Sequence, residues 1–257
     1  AKAIAEGLHH NPVNELRAAA PSLSEGVNKN GIKTFSRNQA VINDADIVIL
    51  AVKPTQMSSV LTEIATNLPA HCLVISVASG LSLAWFDNYL PNVAIVRAMP
   101  NIASAVGKGA TPLIANKFVS KTQQDQADQI FTSLGLVTWV KNEGDINALT
   151  ALSGSGPAYI FMFMEAMINA AITLGIDADV AKAFVFQTFD GALGMASNTK
   201  LSLSELRATV TSPAGTTAAA IHILTQHNFD ALISEAMNAA YKRAEQLGAE
   251  NDKFLVS

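Results

Sequence analysis

The stretch Asp46-Ile47-Val48-Ile49-Leu50-Ala51-Val52-Lys53-Pro54 decides the fold. Its continuous run of β-branched and aliphatic residues predicts a strand buried on both faces, as strands of parallel sheets are. Lys53-Pro54 ends the strand. A helix is expected from Thr55 to Asn67, with Met57, Val60, Leu61 and Ile64 on one face. Downstream, the pattern predicts strands at Leu73–Val77, Val93–Ala98, Thr111–Ala115 and Leu136–Val140. Helices Ser82–Leu90 and Lys121–Gly135 fall between them. Upstream signals are weaker. Ile4 and Leu8 mark a helix face, Glu15–Ala20 and Ile32–Thr34 read as short strands, and Arg37–Ala45 as a short helix. Such alternation predicts an α/β fold, a Rossmann-like doubly wound parallel sheet. Ligands of such sheets bind outside the carboxyl ends of the strands. Here those ends are Val52-Lys53-Pro54, Val77-Ala78-Ser79-Gly80 and Met99-Pro100-Asn101.

After Asn142 no continuous apolar β run returns. Helical periodicity takes over at Ile146–Leu174, Asp179–Ser197, Ser204–Val210, Gly215–Gln226 and Asp230–Leu247, with Gly248 as the expected C-cap. The expected division is a dinucleotide-binding domain over 1–142 and an all-helical dimerisation and substrate domain over 143–257.

Composition narrows the function classes. Hydrophobic residues are 49% of the 257 and charged residues only 15%, which excludes an intrinsically disordered chain. The net charge of −4 argues against a polybasic nucleic-acid binder. So few charges point to hidden surface, best explained by an oligomer interface. Phe161, Met162, Phe163, Met164 and Met167 in one helix, and Phe184, Phe186 and Phe189 in another, reinforce this. The most apolar stretch, Ala158–Ile172, is interrupted by Glu165 and Asn169 and falls short of the roughly 20 residues needed to span a bilayer. The lone Cys72 sits beside a strand and reads as a small core residue. With no disulfide and no signal peptide expected, the cytoplasm is the expected compartment. His222 and His227 are five apart, off the i, i+4 ligand spacing, so no metal is expected.

Two segments carry candidate chemistry. In Ser212-Pro213-Ala214-Gly215-Thr216-Thr217, Ser212 reads as N-cap and Pro213 as the first helical residue. The unpaired N–H groups would then belong to Ala214, Gly215, Thr216 and Thr217, a seat for a carboxylate or phosphate. The plainer reading is a well-capped helix. Capping alone does not need Gly-Thr-Thr, since these are poor helix formers. The second segment is Ser153-Gly154-Ser155-Gly156-Pro157, which interrupts a helix. A kink and a backbone approach to a ligand are equally good readings. It follows a helix rather than a strand, so it is no nucleophile elbow.

Ala51-Val52-Lys53-Pro54, Arg97-Ala98-Met99-Pro100-Asn101, Ser153 to Tyr159 and Ser212 to Thr217 together resemble the pyrroline-5-carboxylate reductase family, in order and at plausible spacing. The resemblance implies reduction of Δ1-pyrroline-5-carboxylate to L-proline by NAD(P)H, the last step of proline biosynthesis. It implies a homodimer built on the helical domain, with further assembly of dimers into a ring. It places Ala51, Val52, Lys53, Pro54, Val77, Ala78, Ser79 and, near the ribose, Asn38 against the cofactor. Met99, Pro100 and Asn101 would lie near the nicotinamide, and Glu143 near the cofactor. Ser212, Gly215, Thr216 and Thr217 would hold the substrate, with Thr217 as the catalytic hydroxyl near the ring nitrogen.

The family opens with a strand and a G-x-G-x-x-[GA] turn, and Ala1 aligns with the end of that turn. The strand Ile47–Val52 is therefore expected to pair on one side only within these residues. Pro21-Ser22 follows the second strand of the family without an Asp or Glu to bind a ribose 2′-hydroxyl. This favours NADPH over NADH, with Ser22 or Arg17 serving a 2′-phosphate. The alternatives are another small Rossmann imine or β-hydroxy-acid reductase, or a non-catalytic NAD(P)-sensing protein. The first would want a lysine early in the long helix, and none stands between Lys141 and Lys182.

Overall fold

The structure, a computed structural model, describes Ile4, Ala5, Leu8 and residues 15–252. Most of the helix expected over residues 1–10 lies outside the described residues. Ile4, Ala5 and Leu8 are helical, and Ile4 and Leu8 are buried. The chain divides into two compact units, 1–157 with 239–257, and 158–238.

The first unit holds two sheets. The smaller comprises β1 (Arg17–Ala19), β2 (Gly26–Val27) and β3 (Lys33–Phe35) in the order β1-β3-β2, with β1 and β3 parallel and β2 antiparallel. A short helix α1 (Gln39–Ile42) follows. The larger sheet runs β4 (Ile47–Leu50), β5 (Leu73–Ser76), β6 (Ala94–Ala98), β7 (Gly109–Ala115) and β8 (Gly135–Trp139) in chain order. Between these strands lie α2 (Pro54–Ile64), α3 (Leu83–Asp87) and α4 (Lys121–Thr132). Each start has a local cause. Pro54 occupies the first turn of α2, where its missing N–H costs nothing. Ser82 accepts from Trp85 N–H to cap α3, and Ser120 with Gln123 forms a capping box on α4.

The sheet separates two apolar layers. On one face Leu73, Ile75, Val96 and Leu113 pack with Ile4, Leu8, Ile130 and Phe131. On the other Val74 and Ile95 pack with Met57, Leu61, Trp85 and Phe86. This is the Rossmann-like layering that the alternating pattern predicts, with three corrections. The sheet is mixed: β6 pairs β7 antiparallel, while the other neighbours in it are parallel. The link 99–108 carries only a 3₁₀ turn, Ile102–Val106. A parallel return needs a crossover of a dozen or more residues, so this link can only reverse the chain. Second, β4 is not buried on both faces. Ile47, Val48 and Ile49 are half-exposed and only Leu50 is buried. Among the described residues β4 pairs with β5 alone, so it is an edge, as expected. Third, β2 was not expected, because Gly26-Val27 has no apolar pattern to announce it.

After β8 come α5 (Glu143–Leu149), a π-turn over Thr150–Gly154, and α6 (Gly156–Thr173). The single helix expected over 146–174 is therefore split. Ser155 N–H bonds Thr150 O at 2.9 Å, the i→i−5 pattern of a π-bulge. The second unit contains most of α6, α7 (Ala178–Ser197), α8 (Leu203–Thr209), α9 (Thr216–Gln226) and the first part of α10 (Phe229–Asp252). Between residues 158 and 238 only Ala181 and Val185 are buried hydrophobics. Phe161 is 59% and Phe184 71% exposed. Helices this apolar need a partner to cover them.

Gly248 is not the C-cap. α10 runs through it to Asp252, although glycine costs about 1 kcal/mol in a helix interior. The last turn is anchored elsewhere: Asn251 Nδ2 donates to Gly80 O at 2.8 Å and to Leu247 O at 2.8 Å. Among the described residues no helix is long and apolar enough to cross a membrane.

Candidate active site

Because β4, β5 and β6 are parallel, their carboxyl ends lie on one side. There the loops Ala51–Pro54, Val77–Gly80 and Met99–Asn101 come together. Leu50 O accepts from Val77 N–H at 3.1 Å, which ties the first two loops. Ser76 Oγ accepts from Ala78 N–H at 3.2 Å and shapes the second. Ala78 is buried; Ala51, Val52, Pro54, Val77 and Ser79 are half-buried, and Lys53 is exposed.

The Met99–Asn101 loop is braced from two sides. Asn101 Nδ2 donates to Ser153 O of the π-turn at 2.8 Å, and Asn101 Oδ1 accepts from Ala110 N–H at 3.3 Å. Its amide is spent on holding the loop. A cleft of about 370 Å³ opens beside this loop. Ser79, Met99, Pro100, Asn101 and Ile102 line one part, and Thr150, Gly154 and Ser155 of the π-turn another. Ala240, Arg243, Ala244 and Leu247 of α10 complete it. The first reading of the Ser153–Pro157 segment holds, because the helix is broken there by the π-turn; Gly154 and Ser155 of that turn line the cleft. The α10 residues escaped the sequence reading, since a helix face carrying one arginine looks like any solvated face.

Glu143 begins α5 and is fully engaged. One carboxylate oxygen accepts from Leu83 N–H at 2.8 Å, and the other pairs with the buried Arg97 guanidinium of β6. Asn38, at the start of α1, donates from Nδ2 to Glu63 Oε2 at 2.8 Å. Ser22 is exposed in the turn after β1. Arg17 is spent on Asp44, at 2.6 and 2.8 Å, and on Glu15. It is thereby less suited than Ser22 to a 2′-phosphate. Cys72 is 1% exposed, and burial pushes its thiol up to about 11, so it is no nucleophile. Among the described residues no group of three His, Cys, Asp or Glu is placed to hold a metal.

The second unit holds Ser212, Gly215, Thr216 and Thr217. The structure corrects the helix start. Gly215, not Ser212, is the N-cap, and α9 begins at Thr216. Ser212-Pro213-Ala214 makes a turn closed by Gly215 N–H to Ser212 O at 3.1 Å, with Ala214 left-handed at φ 59°. Pro213 sits in this turn because the chain must reverse before the helix can start. A Cβ on Gly215 would run into Ser212 Oγ and lie 3.1 Å from Ser212 O, so a larger residue there needs the Ser212 side chain to turn away. Ala219 is the first to bond back, to Gly215 O at 3.2 Å. The outward N–H groups are therefore those of Thr216, Thr217 and Ala218, not Ala214 and Gly215. Thr217 is half-buried and Thr216 exposed.

A crevice at the carboxyl ends of a Rossmann-like sheet, followed by helices with an uncovered apolar surface, is the architecture of a dinucleotide-binding protein whose helical part associates. Residues 1–80 match the family described as NADP oxidoreductase, coenzyme F420-dependent, and residues 143–247 match pyrroline-5-carboxylate reductase dimerisation. The chain belongs to the pyrroline-5-carboxylate reductase family. It is 39% identical over 245 residues to the reductase of Pseudomonas aeruginosa, covering 92% of this chain and 90% of that one. It is 38% identical over 253 residues to that of Vibrio alginolyticus, covering 96% and 93%. Among solved structures, the Coxiella burnetii reductase superposes with TM-score 0.87 at 40% identity, covering 96% of this chain and 94% of that one. The Plasmodium falciparum enzyme with NADP bound gives 0.87 at 30%, with the same coverage.

Proposed function

We propose that this protein reduces Δ1-pyrroline-5-carboxylate to L-proline, using NADPH. The observation that carries the site assignment is the Ser212–Thr217 turn, a helix start that leaves the N–H groups of Thr216, Thr217 and Ala218 without helical partners beside two threonines and is crowded against Ser212 at Gly215. A carboxylate fits such a seat. Ser212, Gly215, Thr216 and Thr217 hold the substrate, with the Thr217 hydroxyl directed to the ring nitrogen. A protonated imine carbon is already electrophilic, so positioning is the main task and no strong acid is needed.

The crevice fits a dinucleotide on its own chemistry. Its loops are neutral or, at Lys53, cationic, Ser22 leaves no carboxylate to repel a 2′-phosphate, and the Glu143 carboxylate is already neutralised by Arg97. Ser22, Asn38, Ala51, Val52, Lys53, Pro54, Val77, Ala78 and Ser79 would hold the dinucleotide. Met99, Pro100 and Asn101 would flank the nicotinamide, and Glu143 acts there by fixing Arg97 and Leu83. Bound NADPH supplies the hydride. The roles then divide near residue 142, with the cofactor held before it and substrate binding and dimerisation after it. The uncovered helices support a homodimer, and a ring of dimers is the larger assembly we propose. A chain with one buried cysteine suits the cytoplasm.

The test is loss of NADPH absorbance with pyrroline-5-carboxylate and the full-length protein. Thr217→Ala is expected to lower kcat/KM for the imino acid about 10- to 150-fold, from the roughly 1.5–3 kcal/mol of a charge-assisted hydrogen bond. Unchanged kcat/KM, or a loss confined to KM for NADPH, would remove this turn from the site. A stable monomer in sedimentation at micromolar concentration would count against the dimer.

A further inference from the structure

The cleft beside Met99–Asn101 is lined by neutral residues with a single exception, Arg243. It projects from the same face of α10 as Ala240, Ala244 and Leu247, spaced i, i+4 and i+7. The guanidinium is held from behind by its own helix. Nη1 donates to Glu250 Oε1 at 2.8 Å and to Gln246 Oε1 at 3.3 Å, and Nη2 to Glu250 Oε2 at 3.4 Å. Both side chains of the pair are 54% exposed. An ion pair that wet holds its partners weakly, so the guanidinium can leave Glu250 at little cost.

An arginine fork matches a phosphate or carboxylate in shape as well as charge. Both reactants of the proposed reaction carry such groups, and the chain as a whole is negative, at −4. We infer that Arg243 is an oxyanion-binding residue of the cleft, kept in place by Glu250 and transferred to the ligand when it enters. This inference rests on the reductase reading for its ligands. The oxyanion is a phosphate of the dinucleotide or, if the carboxylate of the imino acid sits here instead of in the Ser212–Thr217 turn, that carboxylate, and binding measurements separate the two. Glu250 sets the affinity by competing for the same fork.

The experiment compares the parent protein with Arg243→Met, which keeps an unbranched apolar stem, and with Glu250→Gln, which removes the competitor. NADPH affinity is read from its fluorescence with no imino acid present. Proline affinity is read by calorimetry with NADP⁺ bound. Arg243→Met is expected to weaken one of the two about tenfold or more and to flatten its dependence on salt. Weakened NADPH identifies a phosphate, and weakened proline the carboxylate. Glu250→Gln is expected to tighten the same ligand two- to fivefold or so. The inference is overturned if Arg243→Met leaves both affinities within about twofold of the parent, or if Glu250→Gln weakens binding. Turnover of pyrroline-5-carboxylate by the parent tests the reductase reading separately. A parent that turns over, beside an Arg243→Met variant that binds normally, discards this inference alone.

Discussion

Arg97 and Glu143, 46 positions apart, form an ion pair in which the guanidinium is almost fully buried and the carboxylate is one-third exposed. Glu143 also accepts from Leu83 N–H, so one carboxylate joins the carboxyl end of β6 to the starts of α3 and α5. Removing one partner of a fully buried pair costs about 3–5 kcal/mol. The exposure of Glu143 lowers the figure here to roughly 2–3 kcal/mol. Glu143→Gln keeps an acceptor for Leu83 but strands the Arg97 charge. Chemical denaturation should show the loss, and Arg97→Met combined with Glu143→Gln should recover part of it. Purely additive losses would show that the two residues are not coupled.

Gly80 is left-handed, at φ 73°, beneath the last turn of α10. A Cβ there would lie 3.1 Å from both Leu247 Cβ and Asn251 Nδ2. Gly80→Ala is therefore expected to cost about 1–3 kcal/mol from strain and crowding together. Thermal melts should show a drop of several degrees. The same melt in an Asn251→Ala background should show a smaller drop, because one of the crowding atoms is gone.

Burial holds the Cys72 thiol neutral up to about pH 11, whereas an exposed thiol ionises near 9. Above pH 9 the unfolded chain gives up this proton and the folded chain keeps it. The stability gained from Cys72 is thus complete below about 9 and is lost as pH rises towards 11, at a slope of up to about 1.4 kcal/mol per pH unit. Cys72→Ala should flatten that part of the stability–pH curve, whatever its baseline. An unchanged slope would mean that the thiol ionises equally in both states.

Ala214 holds φ 59° in the turn before α9. A left-handed non-glycine residue stores about 1–3 kcal/mol, while glycine adds only roughly 0.5–1 kcal/mol of unfolded-state entropy. Ala214→Gly should raise the melting temperature by a degree or more. A lower melting temperature would show that the turn gains more from the methyl group than it loses to strain.

Much of the fold is legible in short stretches of the chain. Leu73-Val74-Ile75 and Ala94-Ile95-Val96 read as central strands, and both are buried to the last side chain. Pro54 marks the start of α2, and Gly215-Thr216-Thr217 marks the start of α9. These signals are local, because each depends on backbone preferences or side-chain spacing within a few residues.

The chain alone therefore determined the strands and helices of the larger sheet, the layers they build, and the loops at the carboxyl ends of the sheet. Tertiary structure decided the rest. It carried α10 past Gly248 to reach Gly80, 171 positions from Asn251, and paired Arg97 with Glu143. It also committed Asn101 to bracing a loop and placed Arg243 in a cleft. The physical reason is one of range. Local pattern reports which face of an element is apolar, but the energies that settle these choices come from groups brought together across the whole chain.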